Sequence, residues 1–127
     1  SAASMAAGAA VELLGGTPWQ SAQAVAFTLM NMLGLVCDPV AGLVEIPCIK
    51  RNAAGAAQCF VAVDLAMAGI DSAIPADEVI DAMAHIGRVM DSRFKETAQG
   101  GLAATPTGRR LAAFVAAKDI GVRPSGD

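Results

Sequence analysis

Residues Gly15-Gly16-Thr17-Pro18 decide what the first third of this chain can become. They fall inside a stretch from Leu13 to Cys37 that contains no charged residue. Left unbroken, roughly 20 predominantly apolar residues would read as a membrane-spanning helix. Here two glycines and a proline break the run, and Gln20, Ser21, Gln23 and Asn31 add polar groups to it. The mean hydropathy of +0.50 therefore comes without a span, and no membrane partner is expected. The same four residues read as the stop of one helix and the start of the next. Gly15-Gly16 can close a helix from Ala3 to about Leu14. Thr17 offers an N-cap, Pro18 suits the first helical position, and Gln20 completes a capping box.

Punctuation of this kind recurs. The second helix is expected to run to about Leu33 and stop at Gly34, and a third from about Lys50 to Ala68 to stop at Gly69. Residues Asn52 to Val63 carry no charge, which predicts that the third helix is central and the most buried. Pro75 opens a fourth helix reaching about Met90, with Asp77 and Glu78 in its first turn, where they suit the helix dipole. Val79, Met83, Ile86 and Met90 recur at helical spacing and predict one apolar face. A helical turn near Arg93 to Ala98 and a last helix from about Arg109 to Lys118 complete the pattern, and only the last five residues look like a tail. No segment alternates long enough to make a sheet. The expected fold is all-α: one domain over residues 1–127, a compact bundle of about five to six helices.

One segment breaks this grammar. GLVCDPVAGLVEIPCIK is interrupted by Pro39, Gly42 and Pro47, yet it is apolar, whereas loops normally cross the surface and are polar. Cys37 and Cys48 lie eleven residues apart at its two ends. Cysteine on irregular, apolar, amide-rich backbone fits an iron–sulfur ligand, and the same spacing fits two inert buried thiols. Lys50, Arg51 and Asn52 follow at the first turn of the third helix, with Glu45 as a candidate counter-charge. Cations at a helix N-terminus oppose the dipole, so the trio fits either a carboxylate-binding site or a solvated helix start. Gly100-Gly101 and Thr105-Pro106-Thr107-Gly108-Arg109 read as a second special loop or as a turn and cap. The small residues Ser1 to Ser4 suit close helix packing, Cys59 reads as a small core residue, and His85 as structural rather than catalytic.

Composition bounds the partners. The 127 residues are 54% hydrophobic but only 17% charged, with a net charge of −3. That balance argues against a nucleic-acid partner, which would need a basic face. It also predicts that part of the surface is covered by another chain, by self-association or by a further subunit. Three cysteines, an odd number without CxxC, fit a reducing, cytoplasmic setting and argue against a closed disulfide framework. The start SAASMAAGAA has no basic region typical of a signal peptide and opens inside an expected helix, so a fragment or processed subunit is expected.

The segments SAASMAAG, NMLGLVCDPVAGLVEIPCIKRNAAGA and ETAQGGLAATPTGRRL resemble the C-terminal catalytic region of bacterial iron–sulfur L-serine dehydratases, from Ser1 to about Leu111. The resemblance implies a lyase that converts L-serine to pyruvate and ammonia with a 4Fe–4S cluster and without pyridoxal phosphate. It implies that Cys37 and Cys48 are two of three cluster ligands, the third lying upstream of Ser1, and that Cys59 is not a ligand. It implies partners as well: the rest of the catalytic region and a β domain or subunit. With two of three ligands, this chain is expected to be inactive alone and to hold no stable cluster. Lys50, Arg51 and Asn52 are then expected to orient the substrate carboxylate or the cluster loop, while the general base stays unassigned. The alternatives are a pyridoxal-phosphate enzyme, which would need a phosphate cup that is missing beside Lys50, and a non-catalytic helical interaction module.

Overall fold

The computed structural model describes residues 1–120 and is all-α. Its helices are α1 (Ala2–Leu13), α2 (Pro18–Asn31), α3 (Cys48–Met67), α4 (Ala76–Val89) and α5 (Pro106–Ile120), and the described residues contain no strand. Short 3-10 turns at Val40–Gly42, Ser92–Phe94 and Gly101–Ala104 fill the connections. The chain divides into two compact units. One comprises Ser1–Leu35 and Arg51–Val89, the other Val36–Lys50 and the residues from Met90 onward. The tail expected over the last five residues lies outside the described residues.

The first unit is built from the punctuation of the sequence. At the end of α1 the Gly16 amide donates to the Val11 carbonyl and the Gly15 amide to Glu12, with Gly15 at φ +78°. This double closure needs a left-handed residue, and glycine supplies it without strain. Two residues on, the capping box forms as expected: the Gln20 amide donates to Thr17 Oγ1 (3.2 Å) and the Thr17 amide to Gln20 Oε1 (2.9 Å). The core is made of small and branched side chains. Ala7, Val11, Ala24, Phe27, Cys59, Ala62, Val63 and Ala66 bring α1, α2 and α3 together. A second cluster joins Ala26 and Leu29 of α2 to Val79 of α4, with Met83 packed beside it. The apolar face expected on α4 is present over Val79, which is buried, and Met83 and Ile86, which are half-buried; Met90 lies one residue beyond the helix and belongs to the second unit.

One expectation about the first unit is corrected. The most buried helix is α2, with six buried residues from Gln23 to Leu29, and not α3. Phe60 of α3 is 68% exposed and Val61 49%, and Ala53, Ala54, Ala56 and Ala57 are exposed as well. The charge-free run thus covers two faces, one against α1 and α2 and one open on this chain. Absence of charge signals that a face meets apolar neighbours, not that those neighbours lie in the same chain.

In the second unit the backbone follows no long regular element until α5. Cys37 pairs with the segment after Met90: its amide donates to the Phe94 carbonyl (2.8 Å), and the Glu96 amide donates to the Cys37 carbonyl (2.7 Å). The Val40–Gly42 turn is closed by the Leu43 amide on the Val40 carbonyl (3.1 Å), and the Val40 amide donates to the Ile46 carbonyl (2.8 Å). The last helix begins at Pro106, three residues before the expected start at Arg109. Thr105 caps it, its Oγ1 accepting from the Gly108 amide (3.1 Å). Of the two readings of Thr105 to Arg109, the turn and cap is the one formed: an N-cap and a first turn, written like Thr17-Pro18 but with glycine at the third helical position.

Candidate functional site

The sequence-selected residues divide between the units. Cys37 and Cys48 both belong to the second, and Cys59 to the first. Cys37 is exposed and sits on extended backbone held on both sides by Phe94 and Glu96. Cys48 is half-buried and is the first residue of α3, so it lies at a helix start rather than within the irregular segment expected for it. Between them the chain is bent tightly, with Ala41 at φ +58° and Gly42 at φ +71°. Non-glycine residues in the left-handed region cost of order 1–3 kcal/mol and persist where surrounding structure enforces them. The described residues hold three such positions, Ala41, Glu96 and Ala98, and all lie in the segment between the cysteines or in the segment paired with Cys37.

Glu45 meets the start of α3 through its backbone: its carbonyl accepts from the Ile49 amide (3.1 Å) while its side chain is exposed. Lys50 is exposed. In the first unit Arg51 and Asn52 line a cavity of about 660 Å³ together with Ser1, Ala2, Ala3, Ala6, Met32, Gly55, Ala56, Cys59 and Phe60. The small residues opening α1 thus do more than pack against a helix, because they make one wall of an open space. Gly55 is buried on this wall, near Met32 and Ala3. The cavity is apolar apart from the Ser1, Arg51 and Asn52 groups, an arrangement that suits a small molecule with one anionic end. Cys59 combines two surroundings, the core on one side and the cavity on the other. His85 is exposed on α4 and takes no part in the core.

Sequence reasoning missed Asp38. It is only 2% exposed, and its Oδ2 accepts the Leu102 amide at 2.6 Å. The signal available was its place between Cys37 and Pro39, together with Gly100-Gly101. Gly101 has φ +58°, and a β-carbon there would lie 2.8 Å from both Cβ and Cγ of Asp38. Gly101 is therefore a close approach to a carboxylate within the protein itself, while Gly100 lies against Arg93 and Phe94.

Two thiolates on braced backbone suit a soft metal centre chemically. Among the described residues, however, no group of three or more His, Cys, Asp or Glu side chains converges as a metal site. Cys37 and Cys48 are the two sulfur donors of the second unit.

Comparison with known proteins places the chain. Residues 1–103 match the family model described as serine dehydratase alpha chain. The chain is 68% identical over 111 residues to the probable L-serine dehydratase alpha chain of Bacillus subtilis, an overlap covering 87% of this chain and 37% of that protein. It is 53% identical over 122 residues to the probable L-serine dehydratase alpha chain of Latilactobacillus sakei, covering 96% and 58%. It is 50% identical over 111 residues to the L-serine dehydratase alpha chain of Peptoniphilus asaccharolyticus, covering 87% and 38%. The chain thus spans between about a third and three fifths of those relatives' lengths. The matched range takes in both loop cysteines, the start of α3 and the Gly100-Gly101 turn, and the chain belongs to the serine dehydratase alpha chain family.

Proposed function

We propose that this chain forms part of the catalytic region of an iron–sulfur L-serine dehydratase, a lyase that releases pyruvate and ammonia from L-serine. The observation that carries this reading is the family match across residues 1–103, which contains both Cys37 and Cys48. Cys37 and Cys48 would supply two thiolate ligands to a 4Fe–4S cluster, and the resemblance assigns the third to the segment preceding Ser1. When bound, such a cluster supplies an open iron that acts as a Lewis acid on the substrate hydroxyl.

The residues of this chain have definable tasks in that reading. The paired backbone at Phe94 and Glu96 fixes where Cys37 is presented. Cys48 is held by the first turn of α3. Arg51 offers a guanidinium suited to bidentate binding of a carboxylate, and Asn52 beside it offers amide donors. Both line a cavity large enough for an amino acid, open to solvent on one side. Lys50 adds positive charge at the helix start without lining that cavity. Partners in this reading are L-serine, the remaining catalytic region and a β domain or subunit.

The test uses the complete dehydratase purified without oxygen. Iron and acid-labile sulfide should copurify with serine turnover, and carbonyl reagents that trap pyridoxal imines should leave turnover unchanged. Activity in a preparation free of iron would contradict the proposal, and so would inhibition by imine traps. Arg51→Lys keeps the charge but loses the planar fork, so it should raise KM for serine by about tenfold or more while iron content stays constant.

A further inference from the structure

Among the described residues Asp38 is the one carboxylate that is buried, and it is adjacent in sequence to Cys37. Burying a carboxylate is costly unless hydrogen bonds or charges compensate it. Here the Leu102 amide donates to Oδ2 at 2.6 Å. The turn that carries this amide closes tightly on the side chain, since Gly101 leaves no room for a β-carbon and adopts φ +58°. Gly100 makes a matching approach to the neighbouring segment, where a β-carbon would come 2.9 Å from the Arg93 carbonyl. That segment continues into Phe94 and Glu96, which hold the amide and carbonyl of Cys37. The two-residue unit Cys37-Asp38 is thus gripped from both sides, through its backbone at Cys37 and through its side chain at Asp38. Left-handed Glu96 and Ala98 lie in the same grip, so the surrounding structure sustains unfavourable backbone there.

We propose that Asp38 is a positioning residue for Cys37: its carboxylate clamps the Gly101–Ala104 turn and so fixes the direction in which the Cys37 thiolate is presented. The functional part of this inference rests on the reading of Cys37 as a cluster ligand. Groups that orient metal ligands typically change metal affinity 10–100-fold when removed. An orienting carboxylate that acts through a backbone amide does so without touching the metal or the substrate.

The experiment uses the complete dehydratase with Asp38→Ala, Asp38→Asn, Gly101→Ala and the Asp38→Ala/Gly101→Ala double variant. In cluster-free protein, amide hydrogen exchange at Leu102 and Cys37 should quicken at least fivefold in Asp38→Ala and in Gly101→Ala, with α1 and α2 unaffected. Asp38→Asn keeps an acceptor for the Leu102 amide and should restore most of the protection. In protein holding the cluster, iron loss to a chelator should quicken about tenfold in the same two single variants. The double variant should be no worse than the single ones, because both changes break one contact. Unchanged exchange at Leu102 and Cys37 in Asp38→Ala would overturn the clamp, as would Asp38→Asn behaving like alanine. Faster exchange in a wild-type-like fold that never binds iron would uphold the clamp and overturn the cluster reading instead. A fold lost in Asp38→Ala would leave Asp38→Asn and Gly101→Ala to decide, since each is read by the same two amides.

Discussion

Gln20 works in two directions. Its Oε1 accepts the Thr17 amide, closing the cap of α2, and its Nε2 donates to the Ala66 carbonyl near the end of α3 (3.1 Å). Thr17→Ala removes the cap alone and should cost about 1 kcal/mol. Gln20→Ala removes both links and should cost about 1–2 kcal/mol, read as a larger fall in the denaturation midpoint. The capping half of this role was legible from Thr17-Pro18 and Gln20, but the bond to Ala66 was not, because it joins residues 46 positions apart. Asp38 was hidden for the same reason: its partner is 64 residues away. Asp91 is the opposite case. The Arg93 guanidinium and amide hold its carboxyl below the usual carboxylate value, but both groups are exposed. A lowered carboxylate pKa stabilises the fold above the unfolded-state value, and that contribution is lost as pH falls through the depressed one. Because solvent screens an exposed pair, Asp91→Asn should leave the midpoint at neutral pH nearly unchanged.

At the scale of elements, helix ends were readable wherever the chain carries its own stop. Gly15 and Gly69 close α1 and α3 with the same pair of backbone hydrogen bonds, Gly69 to Ala66 and Ile70 to Leu65 in the second case. The start of α5 repeats the Thr-Pro signal of α2, yet the glycine at position 108 masked it. That glycine is required by packing, since a β-carbon there would come 2.9 Å from the Ala103 carbonyl. The open face of α3 could not be read, because a charge-free helix looks the same whether its cover comes from its own chain or another. Phe60 protrudes on that face at 68% exposure. Phe60→Ser should therefore leave helical content and thermal midpoint close to wild type, within about 0.5 kcal/mol. It should lower self-association of this chain in light scattering. An unchanged apparent mass would mean that the face is not the one through which copies meet.

For the whole molecule, the fold class was legible throughout and the functional residues only in part. Cys37 and Cys48 stood out because they bound a broken apolar segment, and the structure puts both in one unit with their backbones held. In the proposed reading they are two of three cluster ligands. Reconstituted anaerobically with iron and sulfide, this chain alone should yield a labile, sub-stoichiometric centre and little serine turnover. A stable, stoichiometric centre would mean that ligands within the chain suffice. The direct test of the account is cysteine replacement in the complete dehydratase, with iron, sulfide and serine turnover measured on each variant. Serine is a poor iron ligand, so Cys37→Ser and Cys48→Ser should each lose cluster and activity together. Cys59→Ala removes a small sulfur from the core, should cost about 1 kcal/mol of stability, and should keep the cluster. Loss of the cluster in Cys59→Ala, with retention in Cys37→Ser or Cys48→Ser, would contradict the assignment.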